Sequence, residues 1–213
     1  MYLTKIELSI RSQSVRAALR NTQKMHQLVT GFFGKQRKDA DILFRSYAHD
    51  AVVDLYIYSL VPVDQSRIPR GMKLVSQKDM TPWLEGIKNG SVFEFLLDTA
   101  PFKKLSDAAT RNNRRRALQT AKERAAWLDR KAKQNGFQIL SMREKEGKKV
   151  TAYHMTEKGG ELTIGTWAYA GYLAVTNADA FKLAVERGIG PGKAYGMGML
   201  LLMETSCEAK YSE

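Results

Sequence analysis

The chain has 213 residues, room for one large domain or two of about 100 residues each. Hydrophobic residues make up 44% and charged residues 26%, which excludes collagen-like and low-complexity classes and fits a globular protein. Lys and Arg number 34 against 22 Asp and Glu, a net charge of +12, so a polyanionic partner is expected.

The N-terminus, Met1-Tyr2-Leu3-Thr4-Lys5-Ile6-Glu7, lacks the apolar core of a signal peptide. Tyr2 to Ile10 alternates at period two, as a half-buried strand does. Ser12 and Ser14 offer caps for a helix running to about Thr30, with Gly31 as its stop. On it Val15, Ala18, Leu19, Thr22, His26 and Val29, continued by Phe33, fall along one apolar stripe. Ile42 to Tyr47 and Val52 to Val61 read as strands joined at His49-Asp50. Met72 to Val75 is a short strand, and Thr81-Pro82 opens a short helix. Ser91 to Leu97 is the next strand, and Arg114 to Gln134 reads as a long basic helix closed by Asn135-Gly136. Phe137 to Met142 is a strand, and Val150 to Met155 with Leu162 to Val175 forms a hairpin. Asn177 caps a helix to Arg187, and a glycine loop from Gly188 to Gly196 leads into a strand from Met197 to Met203. The longest uncharged run, Leu162 to Ala178, is too short and too rich in Gly and Thr to span a bilayer.

The element order recurs, which predicts an α+β fold of two tandem ferredoxin-like (RRM-like) βαββαβ domains. Their expected bounds are 1–90 and 91–204, with a polar tail at 205–213. Charge is uneven along this plan: residues 101–150 hold 15 Lys or Arg and 5 Asp or Glu, a local charge of +10.

Several chemistries are excluded by what is missing. His26, His49 and His154 have no His or Cys partner at ligand spacing, so no metal site is expected. Cys207 is the single cysteine, which rules out an intramolecular disulfide and suits a reducing cytoplasm. No Gly-x-Ser-x-Gly elbow is present. In Gly188-Ile189-Gly190-Pro191-Gly192-Lys193 a dinucleotide loop would need Gly at 193, and a Walker loop Gly at 187 and Ser or Thr at 194. Those positions hold Lys193, Arg187 and Ala194, and the loop follows a helix rather than a strand. Of the paired motifs of two-histidine phosphodiesterases, only His154-Met155-Thr156 is present.

Three features remain. His26 interrupts an apolar stripe, either as a hydrogen-bonded core histidine or as a group presented to a cleft. The glycines around Lys193 either make a tight turn or let another chain approach the backbone. Arg114-Arg115-Arg116, preceded by Arg111, would put cations at a helix N-terminus against the dipole; a phosphate backbone explains them. Tyr153, Trp167, Tyr169 and Tyr172 either stack bases or belong to the core.

Taken in order, Met1-Tyr2-Leu3, Met25-His26-Gln27, Phe32-Phe33, Ile42-Leu43-Phe44-Arg45 and the run Gly188 to Leu200 resemble the CasE family. These are the repeat-RNA endoribonucleases of the type I-E CRISPR Cascade complex. The resemblance implies cleavage of a CRISPR repeat transcript (pre-crRNA) at the 3′ base of its hairpin. The products would carry a 2′,3′-cyclic phosphate or 3′-phosphate and a 5′-hydroxyl. The RNA's own 2′-hydroxyl is then the nucleophile, and neither metal nor cofactor is needed. His26 falls on the family's catalytic histidine, whereas Gln23 stands where some members have Tyr. Lys193, Gly190 and Gly192 would hold the backbone near the cut, as would Lys24. Arg111, Arg114, Arg115 and Arg116, with Lys103 and Lys104, would grip the stem. Partners would be the repeat hairpin and other Cascade subunits, with no membrane.

Two rivals share the charge. A non-catalytic tandem RRM module would show an aromatic RNP1 string, and none is present. A CRISPR subunit that only coats RNA would have no use for His26. If the +10 segment dominates binding, changing Arg114, Arg115 and Arg116 to Glu weakens hairpin binding and flattens its salt dependence. Titrations across a salt series measure this, and an unchanged slope would remove these arginines from the interface.

Overall fold

Strand β1 (Tyr2–Ser9) buries Thr4, Ile6 and Leu8 in alternation, and the first of two sheets grows from it. The computed structural model describes residues 1–34, 39–105, 114–147, 149–154 and 160–205, with side chains at all of these except 104, 105, 114, 115, 151–154 and 160–163. Helices α1 (Gln13–Arg20) and α2 (Thr22–Gly31) follow β1, then β2 (Leu43–His49), β3 (Val52–Ser59) and β4 (Met72–Asp79). The strands lie antiparallel in the order β2-β3-β1-β4. Between β3 and β4 the chain makes a single 3-10 turn, Gln65–Arg67, and α3 (Thr81–Glu85) leads out.

The second sheet repeats the order. Its strands are β5 (Val92–Thr99), β8 (Phe137–Glu146), β11 (Trp167–Val175) and β12 (Leu200–Glu204), arranged β12-β5-β11-β8. Helix α4 (Ala121–Gln134) joins β5 to β8, and α5 (Ala178–Arg187) joins β11 to β12. In both sheets the strands, counted within the unit, stand fourth, first, third, second, the ferredoxin-like arrangement. Two hairpins are inserted in the second unit: β6 (Phe102–Leu105) with β7 (Arg114–Ala117), and β9 (Val150–His154) with β10 (Gly160–Ile164).

Strands β4 and β8 run four residues beyond the sequence reading, to Asp79 and Glu146, and four further differences each have a local reason. The helix expected from Ser12 to Thr30 is two helices, because Asn21 is extended and its Oδ1 accepts the N–H groups of Gln23 and Lys24 at 2.9 and 3.4 Å. A side chain that satisfies the first free amides starts a new helix. The helix expected from Arg114 begins only at Ala121. There Thr120 and Glu123 form a capping box, and the three arginines lie in β7. The strand expected from Leu162 to Val175 breaks at Gly165-Thr166. Thr166 is held by Gly147, whose N–H donates to its carbonyl at 2.8 Å, so β10 closes its hairpin and β11 enters the sheet. The last strand starts at Leu200 rather than Met197, since Gly198 has a φ of +82°.

Each unit has its own core. Ile6, Leu8, Val15, Met25, Val29, Leu55 and Ile57 fill the first beneath α1 and α2. Phe95, Leu97, Trp127, Leu128, Phe137, Leu173 and Phe181 fill the second. The register aligns Leu3, Tyr58 and Leu43 across the first sheet. Tyr58 and Leu43 join the second unit's core cluster and Leu3 packs against it, so the helix-free face of the first sheet turns toward the second unit.

One polar contact ties α4 to the second sheet. The Arg124 guanidinium donates to Glu144 Oε1 and Oε2 at 2.6 and 3.0 Å and to the Gln119 carbonyl at 2.6 Å. It also lies 3.3 Å from the Trp167 ring centroid. Arg124→Ala would leave the Glu144 carboxylate, 17% exposed, without its countercharge. The expected cost is about 3–5 kcal/mol. Arg124→Met with Glu144→Leu should recover most of it, as urea unfolding would measure; equal losses in both variants would contradict this.

Candidate nucleic-acid interface

The glycine segment after α5 docks the two units together. Gly188 has a φ of +73°, and a Cβ there would meet the Leu43 side chain at 2.9 Å and the Gly198 carbonyl at 2.8 Å. At Gly196 it would meet the Phe44 ring at 3.0 Å. Asp98 completes the seam: its side chain takes Arg45 Nη2 at 2.8 Å and its carbonyl takes the Gly198 N–H at 2.7 Å. Three consecutive residues of β2 therefore engage the second unit. The sequence reading left open whether these glycines admit another chain or shape a turn. At Gly188, Gly190, Gly192 and Gly196 the space belongs to this protein's own Leu43, Trp127, Met197 and Phe44.

Within the segment, Lys193–Tyr195 forms a single 3-10 turn between Gly192 and Gly196. The amides of Gly190, Lys193 and Ala194 have no hydrogen-bond partner among the described residues. Helix α2 packs against this turn and against β9, so the helix carrying His26 lies on the turn carrying Lys193. His26 is half-buried. Because Asn21 restarts the helix, the core-facing residues of α2 are Met25, Val29 and Thr30, and Leu19 is 40% exposed. His26 thus sits at the border of the apolar face rather than in its middle. Lys24 is exposed, one turn before Gln27.

Lys103, Gly190 and Lys193 meet at one concavity of about 670 Å³, together with Arg130 and Lys131 of α4. No carboxylate lines it among the described residues. Burial, and then the nearby Arg187 and Lys131 charges, hold the Lys193 ammonium below the usual lysine range, against the pull of Asp41. An ammonium stripped of water beside like charges is relieved by an anion. Arg130 and Lys131 went unnoticed in the sequence because a basic residue on an amphipathic helix reads as a solvated face.

The remaining predicted contacts lie on the β6–β7 hairpin. Lys103 pairs across it with Arg116, and Lys104 with Arg115. Like charges set opposite one another destabilise a ladder, so the hairpin's composition has no internal rationale, and the dipole argument made for a helix start does not apply. Arg116 is partly neutralised by Glu123 at 2.9 Å. Of Lys104, Arg114 and Arg115 only the backbone is described, and Arg111 lies outside the described residues. Among the proposed stacking aromatics, Tyr169 is core at 1% exposure, Trp167 lies against Arg124, and Tyr172 is 45% exposed. His49 is exposed at the end of β2, 3.5 Å from Asp54. No group of three His, Cys, Asp or Glu able to hold a metal occurs among the described residues. No described helix is long and apolar enough to cross a membrane.

Comparison with known proteins adds a lineage. A family model described as CRISPR associated protein matches residues 1–203. The CRISPR-associated endoribonuclease Cse3 of Thermus thermophilus is 27% identical over 221 residues, covering 94% of this chain and 98% of its own. A solved CRISPR endoribonuclease Cse3 bound to a 19-nucleotide RNA superposes with a TM-score of 0.84 at 26% identity, over 95% of this chain and all of that one. A chain of a CRISPR RNA-guided surveillance complex shares the fold, with a TM-score of 0.72 at 24% identity, over 96% of this chain and 100% of that one.

The docking role of the glycines is measurable. Gly188→Ala combines a positive φ with contact against Leu43, whereas Gly90 has a φ of +87° and open space around it. Thermal unfolding should show Gly90→Ala losing only the backbone strain, about 1 kcal/mol, and Gly188→Ala losing roughly 2–3 kcal/mol. Equal losses would mean that the seam tolerates a methyl group.

Proposed function

The chain belongs to the CRISPR-associated protein family, and from that premise we propose that it is an endoribonuclease that cuts CRISPR repeat transcripts at the 3′ base of the repeat hairpin. The observation that carries this reading is the packing of α2, with His26, onto the Lys193–Tyr195 turn beside a concavity lined, among the described residues, by four cations and no carboxylate. Proton-transfer chemistry and phosphate binding then share one border. The RNA-bound Cse3 structure, matched over its whole length, supports the same reading.

The nucleophile is the RNA's own 2′-hydroxyl, so the protein must hold it in line with the leaving 5′-oxygen and move protons. His26 is assigned to proton transfer. Its half-buried position lets the ring reach a bound phosphate while the core side of α2 fixes the helix. Lys193 and the free amides of Gly190 and Ala194 stabilise charge building on the phosphorus oxygens, and Gly192 sets the turn that aims them. Arg130, Lys131 and Lys103, with Lys24, Lys104 and the arginines of the hairpin (Arg111, Arg114, Arg115 and Arg116), hold the stem through its backbone. A-form RNA presents backbone and shape more readily than base edges. No metal takes part. The products are a 2′,3′-cyclic phosphate or 3′-phosphate and a 5′-hydroxyl. Cutting at the hairpin's base leaves the basic surface occupied, so the enzyme keeps its product in the reducing cytoplasm and enters the Cascade complex with it.

His26→Ala should keep the fold and the hairpin affinity while losing cleavage by about 10²–10⁴-fold. Wild-type cleavage should persist in excess EDTA and disappear when the nucleotide at the cut carries a 2′-deoxyribose. Single-turnover assays on labelled repeat RNA decide the matter: near-normal cleavage by His26→Ala would return the residue to a structural role.

A further inference from the structure

On the other side of the Lys193–Tyr195 turn lies a second opening that the cleavage chemistry does not use. It is a cleft of about 580 Å³ between the two units, walled by Arg45 and Tyr47 of β2, Thr22 and Met25 of α2, Ala168 of β11, and Tyr195. Arg20, Lys145 and Lys149 stand at it against Glu146 and Asp98. The turn separates the two openings, with Lys193 in the basic concavity and Tyr195 in this cleft.

Arg45 is unusual for a buried cation. It is 6% exposed, and Nη2 donates to Asp98 Oδ1. Nε and Nη1 are buried with no hydrogen-bond partner among the described residues, and so is the Tyr47 hydroxyl. The Tyr47 ring lies across the guanidinium, 4.6 Å from centroid to Arg45 Cζ. Buried polar groups are rarely left unpaired, because each forgoes its hydration. Burial pushes the Tyr47 hydroxyl up to about 12, so it remains a donor. All three groups can therefore donate, and they call for a ligand rich in acceptor oxygens. Asp98 offsets one charge, and its own carboxyl is pushed up by burial. An anionic oxygen is the natural complement.

Resting on the reading above, we propose that this cleft receives the unpaired nucleotides immediately 3′ of the cut, with Arg45 on a phosphate and the Tyr47 hydroxyl donating beside it. The stem occupies the basic concavity, the cut lies over the turn against α2, and the same strand continues past Tyr195 into the cleft. The Tyr47 ring is half-exposed and swings aside as the strand enters. The enzyme thereby distinguishes a transcript still joined to its 3′ neighbour from the finished hairpin, and the cleaved flank leaves while the stem stays.

The test compares two hairpins made uncleavable by a 2′-deoxyribose at the cut, one with a short unpaired 3′ extension and one ending at the stem. Wild-type protein should bind the extended hairpin more tightly. Arg45→Lys, which keeps a cation for Asp98 but loses the forked donors, should weaken the extended hairpin by about 3–10-fold and leave the short one unchanged. Tyr47→Phe keeps the ring and should cost about 3–10-fold, again on the extended hairpin alone. It loses a hydroxyl that no described residue bonds, so its result stands even if Arg45→Lys disturbs the contact with Asp98. An extension that adds no affinity, or variants that weaken both hairpins alike, would overturn the proposal. Failure of the wild type to bind either hairpin would instead sink the endoribonuclease reading, and this proposal with it.

Discussion

The structure depends on the docking of β2 against the glycine segment after α5. Leu43 fills the space over Gly188, Phe44 fills that over Gly196, and Arg45 reaches Asp98, whose carbonyl fixes Gly198. Each ferredoxin-like unit has its own core, and His26 belongs to the first while Lys193 belongs to the second. The seam brings the two carrying elements into contact by laying α2 on the Lys193–Tyr195 turn. Side chains larger than a hydrogen atom at these glycines would push the units apart, and with them the site.

This arrangement gathers like charge. Lys103, Arg130, Lys131 and Lys193 surround one concavity, and the β6–β7 hairpin sets Lys103 opposite Arg116. In the free protein such placement opposes folding, while a bound polyanion converts repulsion into attraction. The partial burial that lowers the Lys193 ammonium acts in the same sense, since it weakens hydration of the free charge more than it weakens contact with a phosphate. Arg124 shows the opposite solution: buried at 4% exposure, it is satisfied by Glu144, Gln119 and Trp167. Arg45 differs: two of its guanidinium nitrogens have no hydrogen-bond partner among the described residues.

The sequence was informative where periodicity or capping acts locally. Alternation located β1, Asn177 located the start of α5, and the recurring element order pointed to two similar units. It was silent where a side chain settles the matter through space. Asn21 lies within an apolar stripe that reads as one helix, and only its hydrogen bonds to Gln23 and Lys24 show the break. Arg114 to Ala117 carries good helix formers, yet pairing with Phe102 to Leu105 makes it a strand, a tertiary override of propensity. The glycines were recognised as unusual, but their reason lies in Leu43 and Phe44, well over a hundred positions away. Arg45 could be quoted as part of a motif, whereas its unpaired donors and the cleft it helps to wall exist only in the folded chain.

The proposed site would hold one scissile nucleotide from both sides of this seam. The most direct measurement is photocrosslinking from a 4-thiouridine beside the cut in an uncleavable 2′-deoxy repeat hairpin, with the crosslinked peptides mapped. The account predicts crosslinks both to α2, around His26, and to the segment around Lys193. Crosslinks confined to one of these segments, or falling on neither, would contradict it.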